Sequence, residues 1–480
     1  MSETTLKVTF WEIADWTKRK TAKGKKRPKP WGVRWVTEKK SHSEWFANKA
    51  QAINRRSDLM RAARLGEEFD VETGLPLSEL KRKNSLSLLE FAQSYVDMKW
   101  PDSAAKTRSS TVDALATACA AFVKNGPGRP ELAELRGVLT RHLLPPTTRD
   151  DQLGREQQEV VDWLVRYSRS LYDMTDAVAV REVLDALATK LDGKSAAATV
   201  YSRKRAVLFN LLGLAVEREL IQDNPLNRIK RKATKIVDQV DPRVVANPRQ
   251  VEELLTAVSY VGRRNADRGA HLEAFFATCY YAAARPAEAL GLKLDDCTLP
   301  DEGWGMLMLG ESRPSAGKRW TDSGEVHDQR GLKHRGAKDV RPVPIPPVHV
   351  RRLREHVERF GVASDGRLFW SPNGGVVSSS TYYRVWRDAR AYALTPAQVA
   401  SPLGGRPYDL RHAAVSLWLN GGVPATEVAE RAGHSVEVLL KIYAKCIDGQ
   451  REIVNKKIEY LFDCAELNIG HLESNMHQVM

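Results

Sequence analysis

The 480-residue sequence predicts a multidomain, mainly α protein with small β elements, and three observations carry that prediction. The first seventy residues alternate apolar and polar side chains at strand period before turning helical. Residues 86–221 keep apolar residues three and four apart throughout. From residue 249 onward, helical stretches enclose two short strand candidates. The length alone asks for two to four domains rather than one core.

Each element follows from its local pattern. TLKVTFWE (5–12), WGVRWVT (31–37) and HSEWF (42–46) read as strands, and ANKAQAINRRSDLMRAARLGEEF as the helix after them, which gives residues 1–70 a three-stranded sheet plus one helix. Between the first two strands lies TKRKTAKGKKRPKP, a basic loop carrying Lys23, Lys25, Lys26 and Arg27. Such a run is often a solvated loop, but the flanking Trp11, Trp16, Trp31 and Trp35 favour a folded binding surface. DVETGLPLSELKRKNS (70–85) reads as a linker. Five amphipathic stretches then predict a helical bundle over 86–225. NRIKRKATK (227–235), with Arg228, Lys230, Arg231 and Lys232, reads as a second basic linker. Residues 249–461 read as a mixed α/β domain with strands near 304–309 and 340–345, and residues 465–480 as a frayed tail.

The formal net charge is +14, and residues 1–65 hold 17 Lys and Arg against 6 Asp and Glu, so +11 of it sits at the N-terminus. That balance points to a polyanion as partner. Nothing resembles a signal peptide, and no apolar run approaches a membrane span, so a soluble, cytoplasmic protein with no membrane partner is expected. The five cysteines are scattered, without the C-x-x-C spacing of a zinc site or the even count of a disulfide framework. GESRPSAGKR (310–319) has the wrong spacing for a phosphate-binding P-loop.

The stretch RAGHSVEVLLKIYAKC (431–446) contains the most informative tyrosine. Tyr443 follows Leu439 and Leu440 at offsets of four and three and Val436 at seven, which puts it on a buried helix face. TEVAERAGHSVEVLLKIY (426–443) also has the outline of a helix-turn-helix with Ser435 as N-cap, so a DNA-binding regulator without chemistry is one reading. Two further stretches bear on it. YYAAARPAEALGLKLDDC (280–297) places Arg285 before a proline, at a helix junction, with Glu288 three residues on to orient it. RPYDLRHAAVSLWLNGGV (406–423) places Arg411 in the first turn of a helix, with Asp409 as its N-cap.

Together the three stretches resemble the signature boxes of the tyrosine recombinase, or phage integrase, family. The wording GLKHRGAKDVRPVPIPP and YDLRHAAVSLWL is most like integrases of actinomycete phages and integrative elements. The resemblance implies a C-terminal tyrosine recombinase catalytic domain over 249–461, a core-binding helical domain over 86–225, and an arm-type DNA-binding module at 1–70. Arg285 and Arg411 would clamp the non-bridging oxygens of one phosphate. Tyr443 would attack it, its phenolate favoured by Arg285, Arg411 and His434, and a 3′-phosphotyrosine would form without metal or other cofactor. A hairpin lysine, Lys333 with Lys338 as rival, would protonate the leaving 5′-oxygen. The second box usually opens with histidine where this sequence has Tyr408, a weaker proton shuttle. His412, beside Arg411, is expected on another helix face in a structural role.

The activity so implied is site-specific DNA integration of a mobile element or phage genome into a bacterial chromosome, by a homotetramer on two duplexes at attachment sites. An excisionase or a DNA-bending host protein would be the accessory partner. A type IB topoisomerase would share the chemistry but relax DNA instead of recombining it.

Overall fold

The computed structural model describes residues 3–19, 21, 25–229, 239–262, 267–332, 339–446, 455–456, 458–459 and 462. Lys23, Lys230, Arg231, Lys232, Lys333, Lys338 and the 465–480 tail lie outside them. The chain is mostly helical with small sheets and divides into two compact units, residues 1–103 with 107–235, and residues 104–106 with 236–480.

The first unit opens with β1 (Thr4–Thr5), β2 (Val8–Phe10), β3 (Ala14–Asp15), β4 (Trp31–Thr37), β5 (Lys40–Phe46), α1 (Lys49–Arg64) and β6 (Phe69–Asp70). Instead of three strands, four form the main sheet. The expected first strand ends at Phe10 as β2, a further short strand, β3, follows it, and both pair antiparallel with β4, whose other edge takes β5. β1 pairs separately with β6. Val33 and Trp35 of β4 pack with Ala52 and Leu59 of α1 and with Phe69, so Trp35 is a core residue, its indole Nε1 donating to Gly74 O at 2.7 Å. The alternate residues of β4 face away from the helix. There Gly32 has no room for a side chain, because a Cβ would lie 2.6 Å from the Trp45 ring. Trp16 packs on Trp45 with centroids 4.0 Å apart. Arg19 and Arg27 lie over Trp16 at 4.9 and 4.7 Å, and Arg34 over Trp11 at 5.3 Å.

The segment read as the first linker is ordered. Pro76 precedes a helix, α2 (Leu77–Asn84), and Arg55 of α1 binds both carboxylate oxygens of its Glu79, at 2.8 and 3.1 Å. The bundle contains α3 (Leu88–Lys99), α4 (Ala105–Ala121), α5 (Leu132–Val138), α6 (Arg155–Tyr167), α7 (Ala177–Leu187) and α8 (Ala198–Glu217). α5 arises from a stretch whose seven helical residues are too few to display a period.

The second unit contains α9 (Pro248–Tyr260), α10 (Asp267–Tyr281), α11 (Pro286–Ala289), β7 (Cys297–Thr298), β8 (Gly305–Leu309), β9 (Arg341–Ile345), α12 (Pro347–Phe360), α13 (Ser379–Ala393), α14 (Pro396–Ala400), α15 (Asp409–Asn420), α16 (Ala425–Ala432) and α17 (Val436–Tyr443). β7, β8 and β9 form one antiparallel sheet in that order. Between β8 and β9 the chain makes a long excursion, held by the bridges Ser312–Arg330 and Ser315–His327. The core joins Phe275 and Phe276 of α10, Leu307 and Val343 of the sheet, Trp386 of α13 and Val415 of α15. Arg390 of α13 donates to the carbonyls of Leu403 (3.0 Å) and Ser401 (3.2 Å), and Trp386 to Gly404 O (2.7 Å), which fixes the chain that leads into α15. No helix among the described residues is long and apolar enough to cross a membrane.

His349 is fully buried in this core. Thr278 Oγ1 donates its proton to Ala274 O (2.8 Å) and so accepts from His349 Nε2 (3.2 Å), which leaves Nδ1 unprotonated and without a partner. Burial, with Arg352 nearby, pushes its pKa down to about 3 from 6.5. Because the folded value lies below the unfolded one, the stabilisation is whole above pH 6.5 and is lost as pH falls from there toward 3. Urea-denaturation midpoints of the second unit should therefore drop across that window, and His349→Gln should flatten the drop.

Candidate active site

The site begins where α10 ends. Ala283, at φ +46°, is one of three non-glycine residues with positive φ among those described, a conformation that L-residues avoid without compensation. It turns the chain so that Arg285 is extended (φ −71°, ψ 145°) immediately before Pro286 opens α11, as the proline requires. Glu288, one turn into α11, accepts from the Arg285 backbone N–H at 2.9 Å and from its Nη1 at 2.5 Å. The orienting contact read from spacing is therefore present.

Glu288 also binds an arginine that the sequence reading passed over. Arg341, the first residue of β9, is 1% exposed and donates Nη2 to Glu288 Oε2 at 2.7 Å. In sequence Arg341 is one cation among many between 313 and 354, and only the strand register places it here. Burial alone would raise the Glu288 pKa, but Arg341, Arg285 and Arg411 hold it down to about 2.

Arg411 is completely buried in the first turn of α15. Its Nη1 donates to Ala283 O, and its Nη2 to Ala432 O and, at 2.8 Å, to His434 Nε2. Asp409 is not the N-cap. Tyr408 has that place, and Asp409, the first helical residue, is itself buried and accepts from the Arg406 backbone at 2.8 Å and side chain at 2.9 Å.

The turn between α16 and α17 closes the site. Gly433 is left-handed (φ 65°, ψ 52°), and a Cβ there would meet Arg341 Nη1 at 2.2 Å, so only glycine fits. Its carbonyl accepts from Arg285 Nη2 at 3.2 Å. Ser435 caps α17 by accepting from Val438 N at 3.2 Å. His434 Nε2 accepts from Arg411, so the neutral ring carries its proton on Nδ1, and that Nδ1 has no partner. Burial, reinforced by Arg411, Arg285 and Arg341, pushes the His434 pKa down to about 3.

Tyr443, at the end of α17, is fully buried, and its hydroxyl lies 2.9 Å from His412 Nδ1. This corrects two expectations. His412 does not point away from the site: it stands one turn beyond Tyr408, whose ring meets it edge-on at 5.1 Å, and its own ring meets Tyr443 at 5.6 Å. Nor do the cations make Tyr443 a ready phenolate. Burial is the larger influence and raises its pKa, with Arg411 and Arg285 opposing. Burial likewise puts His412 near 4.

Of the predicted site residues, the structure brings together Arg285, Glu288, Tyr408, Arg411, His434 and Tyr443, and adds Arg341 and His412. Lys25, Lys26 and Arg27 belong to the first unit, as does Arg228, which pairs with Asp223 at 2.7 Å.

No family model matches the chain. A curated relative named Integrase, from Streptomyces ambofaciens, is 25% identical over 261 residues, covering 52% of this chain and 62% of the relative. The chain thus spans less than two thirds of that relative's length, and the relative's name agrees with the resemblance carried by the three boxes. Among solved structures, the chain is similar to the Tn1549 transposon integrase in complex with a circular intermediate DNA (16% identity, 62% of this chain and 91% of that one, TM-score 0.44). It is also similar to the XerH site-specific recombinase bound to a palindromic difH substrate (13%, 74% and 96%, 0.44). A third is a lambda integrase dimer bound to a core site (12%, 73% and 96%, 0.43).

Removing the Glu288 carboxylate would leave Arg341 buried without its ion-pair partner. Glu288→Ala should destabilise the second unit by about 3–5 kcal/mol, read as a shift in the urea midpoint, and Gly433→Ala should be destabilising as well.

Proposed function

We propose that this chain is a site-specific DNA recombinase of the tyrosine class, an integrase that cuts and rejoins DNA through a 3′-phosphotyrosine. The observation that carries the reading is a surplus of buried positive charge beside a tyrosine hydroxyl. Three arginines converge on one carboxylate, Glu288, and the two histidines among them are held neutral by burial. Among the described residues, Arg341 Nε, Arg411 Nε and His434 Nδ1 have no hydrogen-bond partner. Buried donors without partners and uncompensated cations favour an anion as ligand. A phosphodiester fits the donor set.

In this reading Arg285, Arg411 and His434 bind the non-bridging oxygens, competing with the carbonyls of Ala283, Ala432 and Gly433 for the guanidinium donors. Tyr443 Oη forms a bond to phosphorus as the bond to the 5′-oxygen breaks. The proton for that oxygen is assigned to Lys333, with Lys338 as rival. Rejoining reverses the step, so the energy of the broken bond is kept in the phosphotyrosine. Residues 1–70 act as an arm-type module, 86–225 as a core-binding domain and 249–461 as the catalytic domain. The partners are duplex attachment sites, engaged by four protomers on two duplexes.

A helix-turn-helix regulator is the weaker reading. α17 exposes Val436, Glu437, Val438, Leu440 and Lys441, an apolar face with one cation, poorly suited to base edges and phosphates.

The test is a suicide duplex nicked near the core site, sought in the DNA flanking the gene, incubated with protein in EDTA. An adduct resistant to detergent and mapping to Tyr443 is expected, and Tyr443→Phe should bind equally and form none. Arg411→Lys should lower the cleavage rate by about 100-fold or more, because one ammonium cannot replace the planar fork. A rate near wild type would remove the clamp. Lys25→Gln with Lys26→Gln should lower the salt slope of binding to long attachment sites by about one to two, measured by titration across ionic strength.

A further inference from the structure

We infer that His412 is the general base that takes the proton from Tyr443, in the place left by the histidine that the second box lacks. The assignment rests on the recombinase reading above. Three observations on neighbouring rings carry it.

First, His412 Nδ1 is the nitrogen that touches the reacting atom, 2.9 Å from Tyr443 Oη. Second, His434 cannot take this part. Its Nε2 lone pair already accepts from Arg411 at 2.8 Å, and its Nδ1 therefore bears a proton; its ring centroid lies 6.3 Å from that of Tyr443. Third, Tyr408 stands where a histidine is expected and has no ring nitrogen to take the proton, but it packs edge-on against His412 at 5.1 Å. Residues 408 and 412 are one helical turn apart and share a face of α15, so a ring one turn on reaches the hydroxyl and Tyr408 buttresses it.

The step balances. The Tyr443 O–H bond breaks and its proton passes to His412 Nδ1; Oη bonds to phosphorus; the bond from phosphorus to the 5′-oxygen breaks, and that oxygen takes a proton from a separate acid. In rejoining, the incoming 5′-hydroxyl gives its proton to the conjugate base of that acid as its oxygen bonds to phosphorus, the bond from phosphorus to Oη breaks, and His412 returns its proton to Oη. The groups that act on His412 are Tyr408, Asp409, Arg406, Arg411, His434 and Tyr443. Burial, with Arg406 and Arg411, disfavours a charge on the ring, while Asp409 works the other way. A phosphodiester's negative charge acts in the same direction as Asp409 and raises the ring's basicity as substrate enters.

The experiment compares wild type, His412→Asn and His412→Gln in single-turnover adduct formation on the suicide duplex. The duplex is made with an ordinary scissile phosphate and with sulfur at the 5′-bridging position, whose departure needs no proton. Asn keeps an acceptor near the Nδ1 position without a titrating nitrogen, and thermal unfolding checks that the variant scored is folded. Expected is an on the order of 100-fold slower cleavage on both substrates, with unchanged site affinity and a rate that climbs with pH toward the phenol's own range. Cleavage near the wild-type rate by a folded variant would overturn the assignment. Full rescue by the sulfur substrate would also overturn it, by moving His412 to the leaving-group side. Absence of any adduct from the wild-type protein would instead overturn the recombinase reading, and the base assignment with it.

Discussion

The second unit depends on one carboxylate. Glu288 is 2% exposed and ties together three segments that share no secondary structure: the turn before α11 through Arg285, the first residue of β9 through Arg341, and, through both guanidinium groups, the Gly433 turn. A buried ion pair gains little over an apolar pair of the same shape, because desolvation offsets the attraction, yet breaking one is costly. The cluster is therefore better understood as fixing geometry than as supplying net stability. It requires a left-handed glycine at 433 and a β9 register that turns Arg341 inward, and it uses the extended Arg285 that Pro286 dictates.

The same cluster leaves positive charge unspent. One carboxylate faces three guanidinium groups, and the histidines are neutral because burial and the arginines oppose a further cation. In a low-dielectric pocket an anion of matching shape interacts far more strongly than it would in water. At Tyr443 the balance runs the other way: burial outweighs the arginines and raises the pKa of the phenol. Electrostatic activation would then be realised only when substrate charge and base are present together.

The first unit uses cations differently. Arg19 and Arg27 lie over the Trp16 ring and Arg34 over the Trp11 ring. A guanidinium over an aromatic face gains a cation–π attraction that restricts its motion. Trp45 can lie across the sheet only because residue 32 has no side chain.

The sequence by itself determined the elements whose signals are local. Periodicity placed the bundle helices and strands β8 and β9; Pro286 fixed the backbone of Arg285; Glu288 lay within reach of it at three residues' spacing; Ser435 capped α17. The box pattern brought Arg285, Arg411, His434 and Tyr443 into one reading because their chemistry recurs at set spacings. Tertiary structure alone decided what depends on long-range register and burial. Arg341 enters the site through pairing of β9 with β8 across a long excursion, which no spacing reveals. His412 faces Tyr443 because α15 packs in the core with that side toward α17, and the rotation of a helix about its axis is set by the assembled core rather than by a local pattern. The state of Tyr443 was likewise out of reach, since it depends on how completely distant segments exclude water from its hydroxyl, and solvent exclusion is a property of the assembled core.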